Sequence, residues 1–219
     1  KAHCLPPMRG DRLAVVSRSG GHAVVAADAA TKHGFILQPF PDDFLRMVEN
    51  RLRAGVIRLG NPMDLGDLFD FQLFYQIVSD TLARDDIDGM LMVLNYNGIF
   101  FEDDSRSLVS NVKEVSLYTQ KPVAMCVVTT EEEWRLNRNN HPNFPMFTEP
   151  EEAAHALAIS KDFYARRLAS FTEAKTFAVE KQQALDVLTA AKTRRAKQLN
   201  PNEALLVLSL YGIPLAPWA

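Results

Sequence analysis

The residues best suited to chemistry are Ser17-Arg18-Ser19-Gly20-Gly21-His22-Ala23, a polar and glycine-rich step between two apolar runs. Adjacent glycines let a backbone reach positive φ and approach a ligand closely. If a helix starts just behind them, the amides of His22, Ala23 and Val24 are unpaired donors at an end where the dipole favours an anion. Ser19, Gly20, Gly21, His22 and Ala23 are therefore candidate phosphate ligands. A strand-to-helix turn with no ligand would use the same residues. The run matches neither Gly-x-Gly-x-x-Gly nor a Walker A loop with its lysine.

Other candidates are thinner. Glu131, Glu132 and Glu133 offer paired carboxylates for acid–base work, or simply the acidic first turn of a helix. His3, His33, His141 and His155 show no i, i+3 or i+4 spacing, so no metal site is expected. Ser19 lacks a nucleophile-elbow context. Cys4 and Cys126 lie far apart, and Cys126 sits in an apolar strand pattern, which suits a reduced, cytoplasmic protein without a disulfide framework.

Composition sets the outer limits. The chain has 219 residues, 47% hydrophobic and 23% charged, enough for one α/β domain with extra material or for two small domains. A net charge of −3 gives no global electrostatic case for nucleic acid. No apolar run approaches the roughly 20 residues that cross a bilayer, and no signal peptide is visible. The chain starts at Lys1 and stops at Pro217-Trp218-Ala219, and it reads as a piece of a longer polypeptide.

The elements that must position the glycine turn follow from periodicity. Residues 1–10 read as a linker. Leu13 to Ser17 is a short apolar, β-branched run suited to a parallel strand buried on both faces. Ala23 to His33 predicts a helix stopped by Gly34. Phe35-Ile36-Leu37 predicts a second strand, and Asp42 to Arg53 a helix with an acidic first turn. Gly60 to Asp67 is dense in turn residues and reads as a loop.

Phe71 to Ala83 returns to helical spacing. Met90 to Leu94 predicts a strand that breaks at Asn95-Tyr96-Asn97-Gly98. A helix from Asp103 to about Gln120, a strand at Val123 to Val128 and a short helix from Glu131 follow. Asn143 to Phe147 predicts the last strand, and Thr148 is the expected N-cap of the next helix. Alternation of this kind implies a parallel sheet with helices on both faces, ligands lying beyond the carboxyl ends of the strands.

Helical spacing then continues. Ala153, Leu157, Tyr164 and Leu168 share one face, and a further segment runs from Phe171 through Phe177 to Ala191. Lys192, Arg194, Arg195 and Lys197 close it, as a solvated C-terminal turn or a basic patch for nucleic acid or membrane. Asn200 as N-cap and Pro201 at the first helical position restart a helix.

Three blocks in this order resemble the NDP-forming (ADP-forming) acyl-CoA synthetases, the superfamily of succinyl-CoA ligase. The first is Leu13-Ala14-Val15-Val16-Ser17-Arg18-Ser19-Gly20-Gly21 running to Asp28. The second is Asn61-Pro62-Met63-Asp64-Leu65-Gly66, followed by Asp88-Gly89-Met90-Leu91-Met92-Val93. The third is Glu203-Ala204 with Tyr211-Gly212-Ile213-Pro214, which is similar to the opening of the family's ATP-grasp domain.

The resemblance implies a flavodoxin-like, five-stranded parallel ligase domain over residues 11–169, a helical linker over 170–198 and the truncated start of an ATP-grasp domain over 199–219. It implies a module of an enzyme that interconverts acyl-CoA, NDP and phosphate with acid, CoA and NTP. A phosphohistidine carries the phosphoryl group, and this domain supplies one phosphate-facing helix N-terminus. The full enzyme would use CoA, ATP/ADP and Mg, none held tightly by this stretch. Its partners would be upstream CoA-binding and catalytic-histidine domains and the downstream ATP-grasp domain, with homo-oligomerisation open and neither nucleic acid nor membrane involved.

Asn61 and Asp64 match the family's Asn-Pro-x-Asp loop, and Asn97-Gly98 stands where relatives carry a glycine loop; each is a ligand loop or turn chemistry alone. His22 replaces the usual glycine or proline after the Gly-Gly pair. It is a phosphoryl carrier in its own right, a helix N-terminal residue beside the phosphate, or a residue outside the site. The contrasting reading is a non-catalytic, acyl-CoA-sensing regulatory module of an acetyltransferase-type fusion. A third is an interaction domain that uses the fold as scaffold.

Overall fold

Five short parallel strands, β1 (Leu13–Ser17), β2 (Met63–Asp64), β3 (Gly89–Asn95), β4 (Val123–Val128) and β5 (Met146–Phe147), form one sheet in the order β2-β1-β3-β4-β5. The computed structural model describes residues 4–51, 59–66, 68, 70–96, 102–168 and 177–216. They fall into two compact units, residues 1–169 and 170–219. The first unit carries the sheet and the helices α1 (Gly20–Lys32), α2 (Asp42–Glu49), α3 (Phe71–Ala83), α4 (Glu102–Thr119), α5 (Glu131–Asn140) and α6 (Pro150–Leu168). This is a flavodoxin-like α/β fold, as the alternation of elements and the family resemblance predicted.

The strands read as unbroken apolar runs because both faces are covered. Ala14, Val16, Met90, Met92, Leu94, Met125 and Val127 point into a core closed by α2, α3 and α4. Leu13, Val15, Leu91, Val93, Ala124 and Cys126 point into a second core closed by α1 and α6. Small side chains bring those two helices near each other and the sheet: Ala26, Ala29 and Ala30 on α1, Ala153 and Ala154 on α6. Burial pushes the Cys126 thiol up to about 12, so it is an inert core residue. Gly34 ends α1 at φ +74, where any side chain is strained.

Three expectations change. Phe35-Ile36-Leu37 is not a strand; Ile36 makes one parallel bridge to Arg12. The edge position belongs to Met63–Asp64, two residues inside the expected loop. A two-residue edge strand has no period to read. Helix α6 begins at Pro150, so Thr148 is not its N-cap; proline at the first helical position sets the start instead.

The outer edge of β1 is closed in sections. Leu13 N donates to Ile36 O at 3.0 Å, and Leu65 N donates to Ser17 O at 2.8 Å. Between them the Asn61 side chain stands in for a strand: its Oδ1 accepts from Val15 N at 2.9 Å and its Nδ2 donates to Leu13 O at 2.8 Å.

The second unit contains α7 (Lys181–Thr193) and α8 (Pro201–Leu210). Asn200 caps α8 through a reciprocal box with Glu203, with Pro201 first in the helix. Phe177 precedes α7 in non-helical, exposed chain, so the expected helix from Phe171 does not run through it; residues 171–176 lie outside the described residues. No described helix is long and apolar enough to cross a membrane.

Candidate functional site

In the order 2-1-3-4-5 the strand sequence reverses between β1 and β3, and the loops leaving these two strands part to opposite faces. A crevice therefore opens beyond Ser17 and Asn95. The β1 loop enters α1 on one face, and the segment after β3 leads to α4 on the other.

On the α1 side the turn is stapled by buried Ser17. Its hydroxyl donates to Ser19 O at 2.8 Å and accepts from Ser19 N at 3.0 Å. The helix starts at Gly20, three residues earlier than expected. Ala23 N donates to Ser19 O at 2.9 Å, so the Ala23 amide is closed. The open amides at this end are those of Gly20, Gly21 and His22, the first three of the helix.

Neither Gly20 nor Gly21 takes positive φ; among the described residues the left-handed glycines are Gly34 and Gly212. Gly20 is favoured for a different reason: a Cβ there would lie 2.7 Å from Asp64 Oδ2, whereas one on Gly21 meets only Ser19 Oγ at 4.0 Å. Asp64 is itself fixed, Oδ1 accepting from Gly66 N at 2.9 Å. Its carboxylate sits where the α1 dipole favours negative charge. His22 is half-buried in the first turn, and its Nδ1 is buried without a hydrogen-bond partner.

On the other side of the sheet a polar network fills the space between β3, α4 and α5. Glu133 is buried at the third position of α5, whose N-cap is Thr130. Arg106 Nε donates to Glu133 Oε2 at 3.1 Å and its Nη2 to Oε1. The Tyr96 hydroxyl donates to Glu133 Oε2 at 3.2 Å and accepts from Asn137 Nδ2 at 2.5 Å. The Arg106 guanidinium holds the Glu133 carboxyl below the usual range. Burial, and then the adjacent carboxylate, raise the Tyr96 phenol. Glu131 pairs with Arg135 at 2.6 Å on the solvent side. The three glutamates thus split between a buried ion pair and an exposed turn, with no carboxylate pair for acid–base work.

Of the sequence candidates, Ser19, Gly20, Gly21, His22 and Asp64 come together at the mouth of the crevice. Asn61 does not join them: its amide is held along β1, and it also donates to Gln38 O at 3.1 Å. Asn97 and Gly98 lie outside the described residues. Among the described residues no group of three or more His, Cys, Asp or Glu could hold a metal.

Sequence reasoning missed Tyr96, Arg106 and Glu133 as a unit, because three separate elements contribute one residue each. It also missed that His33 and His155 stack, centroids 5.1 Å apart and planes 10° from parallel. Asn61→Ala removes bonds to Val15 N, Leu13 O and Gln38 O; it is expected to lower the unfolding free energy by about 2–4 kcal/mol, read from urea denaturation.

No family model matches the chain. In sequence it is 24% identical over 159 residues to the alpha subunit of acetate–CoA ligase [ADP-forming] I of Pyrococcus furiosus, covering 70% of this chain and 33% of that protein. It is 25% identical over 211 residues to 4-hydroxybutyrate–CoA ligase [ADP-forming] of Nitrosopumilus maritimus, covering 95% of this chain and 29% of that protein. The chain thus spans about a third of the length of these curated relatives.

In fold it is similar to a Pyrococcus horikoshii OT3 protein (TM-score 0.66, 19% identity, 77% of this chain and 39% of that one). It is also similar to the dinucleotide-forming acetyl-coenzyme A synthetase 1 of Candidatus Korarchaeum cryptofilum, solved with phosphate and ADP (TM-score 0.60, 18% identity, 76% and 37%). The chain is thus similar in sequence, at low identity, to curated ADP-forming CoA ligases.

Proposed function

We propose that this chain is a module of an NDP-forming acyl-CoA synthetase, and that its glycine turn seats the phosphoryl group on the open amides of Gly20, Gly21 and His22. The observation that carries this reading is the position of those amides. They face the crevice at the strand-order reversal, at a helix N-terminus, in a chain whose curated relatives are named as ADP-forming CoA ligases.

Oriented amides would hold the negative charge of a phosphoryl group without rearrangement, the arrangement that favours its transfer. The carrier histidine would come from another domain, with CoA bound upstream and ATP/ADP with Mg downstream in an ATP-grasp domain. A complete ligase containing this chain, given ATP labelled at the γ-phosphate, is expected to gain an acid-labile, base-stable phosphate and to lose it to ADP. It is expected to release acyl-CoA when acid and CoA are added. No label at any histidine overturns the proposal.

A further inference from the structure

Arg12, Arg18, Arg84 and Arg106 are the half-buried arginines among the described residues. Three have a carboxylate: Arg12 pairs with Asp88 at 2.6 Å, Arg84 with Asp86 at 2.7 Å, and Arg106 with Glu133. Arg18 has none. Its guanidinium lies 4.5 Å from the centroid of the Phe71 ring, at the first residue of α3. One Nη donates to Leu68 O at 3.4 Å, and its buried Nε has no hydrogen-bond partner.

A guanidinium carries five N–H donors in a rigid fork, and a desolvated charge without a counter-charge is costly to keep. Burial accordingly lowers the Arg18 pKa. The position is as telling as the missing partner. Arg18 follows directly on β1, and its backbone N donates to Val93 O at 3.1 Å, so it stands at the lip of the β1/β3 crevice. Its side chain turns to the α3 face, away from the α1 turn that Ser19 to His22 form.

We infer that Arg18 is an oxyanion anchor: it takes a phosphate or carboxylate group of the molecule that enters the crevice, on the face opposite the α1 amides. The inference rests on the crevice being the ligand site, and it adds a second anionic contact that the amides alone do not supply. The planar fork matches two oxygens of either group, which lysine cannot do. Phe71 lies against one face of the fork, and the ion that arrives supplies the counter-charge that no described carboxylate gives Arg18 by an ion pair.

The test is a titration of the 15N-labelled chain with inorganic phosphate and, separately, with acetate, following the Arg18 Nε–Hε signal and the Gly20, Gly21 and His22 amides. The Nε signal is identified by its loss in Arg18→Lys. It is expected to shift saturably with at least one anion, and whichever saturates at lower concentration names the source. Arg18→Gln is expected to weaken that anion by about tenfold or more, the loss of a charge-assisted contact, and Arg18→Lys by less. An Nε signal unmoved by both anions overturns the inference even if Arg18→Gln fails to fold. Shifts at the amides alone leave the phosphate-seat reading standing and sink this one, shifts at Nε alone do the reverse, and silence at both positions ends both.

Discussion

Glu133→Ala lowers the unfolding free energy by about 2–4 kcal/mol, because it removes the buried carboxylate partner of Arg106, leaving the exposed Asp103 at 3.3 Å, and the acceptor of Tyr96 together. The low end of that range reflects the partial exposure of Arg106, which water can still reach. Glu133→Gln keeps the volume and one acceptor and costs about 1–2 kcal/mol. The two variants also differ from the parent in acid. Glu133 has its folded pKa below the ordinary carboxylate value, so its contribution is full above the unfolded value and disappears as pH falls through the folded one. The stability of the parent should fall below about pH 4.5, and Glu133→Gln should flatten part of that fall. Asp86 and Asp88, each held low by an arginine, account for slope that remains. Equal urea midpoints for parent and Glu133→Ala at pH 7 would show that the network contributes nothing to the fold.

The second large effect separates two glycines that look alike in sequence. Gly20→Val places branched carbon against Asp64, whose other oxygen holds Gly66 N, and the overlap is relieved by turning the carboxylate off Gly66 N or by shifting β2 or the first turn of α1. A loss of about 1–3 kcal/mol is expected, with the crevice amides displaced and phosphate affinity reduced. Gly21→Ala meets open space in a helix and is expected to gain up to about 1 kcal/mol. Denaturation of both variants, side by side, measures the contrast; matching losses would mean that Asp64 moves freely.

These two sites mark where sequence reading worked and where it stopped. Helix α3 falls on the residues that periodicity predicted, because Phe74, Ile77, Val78, Thr81 and Leu82 recur on one buried face. Strands β3 and β4 were legible for the opposite reason: burial on both faces leaves no polar position to blur them. The Gly-Gly pair was legible as a turn, but its cause was not. The expected positive φ is absent, and the cause is a carboxylate 44 positions later in the chain, in a strand too short to have a pattern. Long-range polar contacts of this kind, Asn61 on β1 or Tyr96 on Glu133, leave no periodic trace.

One feature reaches further than the contacts it comprises. At the amino edge of the sheet the polar groups are tied down: Arg12 to Asp88, and Lys121 Nζ to Leu82 O at 2.9 Å and Arg84 O at 2.5 Å. At the carboxyl edge Arg18 Nε, His22 Nδ1 and Asn95 Oδ1 are buried without partners. The Glu133 network ties the carboxyl end on the α4 and α5 side, but the end is left ajar around Arg18 and His22, and opening fluctuations should begin there. Anything that binds there adds cross-links to groups that have none, so its arrival would register as stiffness and protease resistance around Arg18 and His22, without any change of shape.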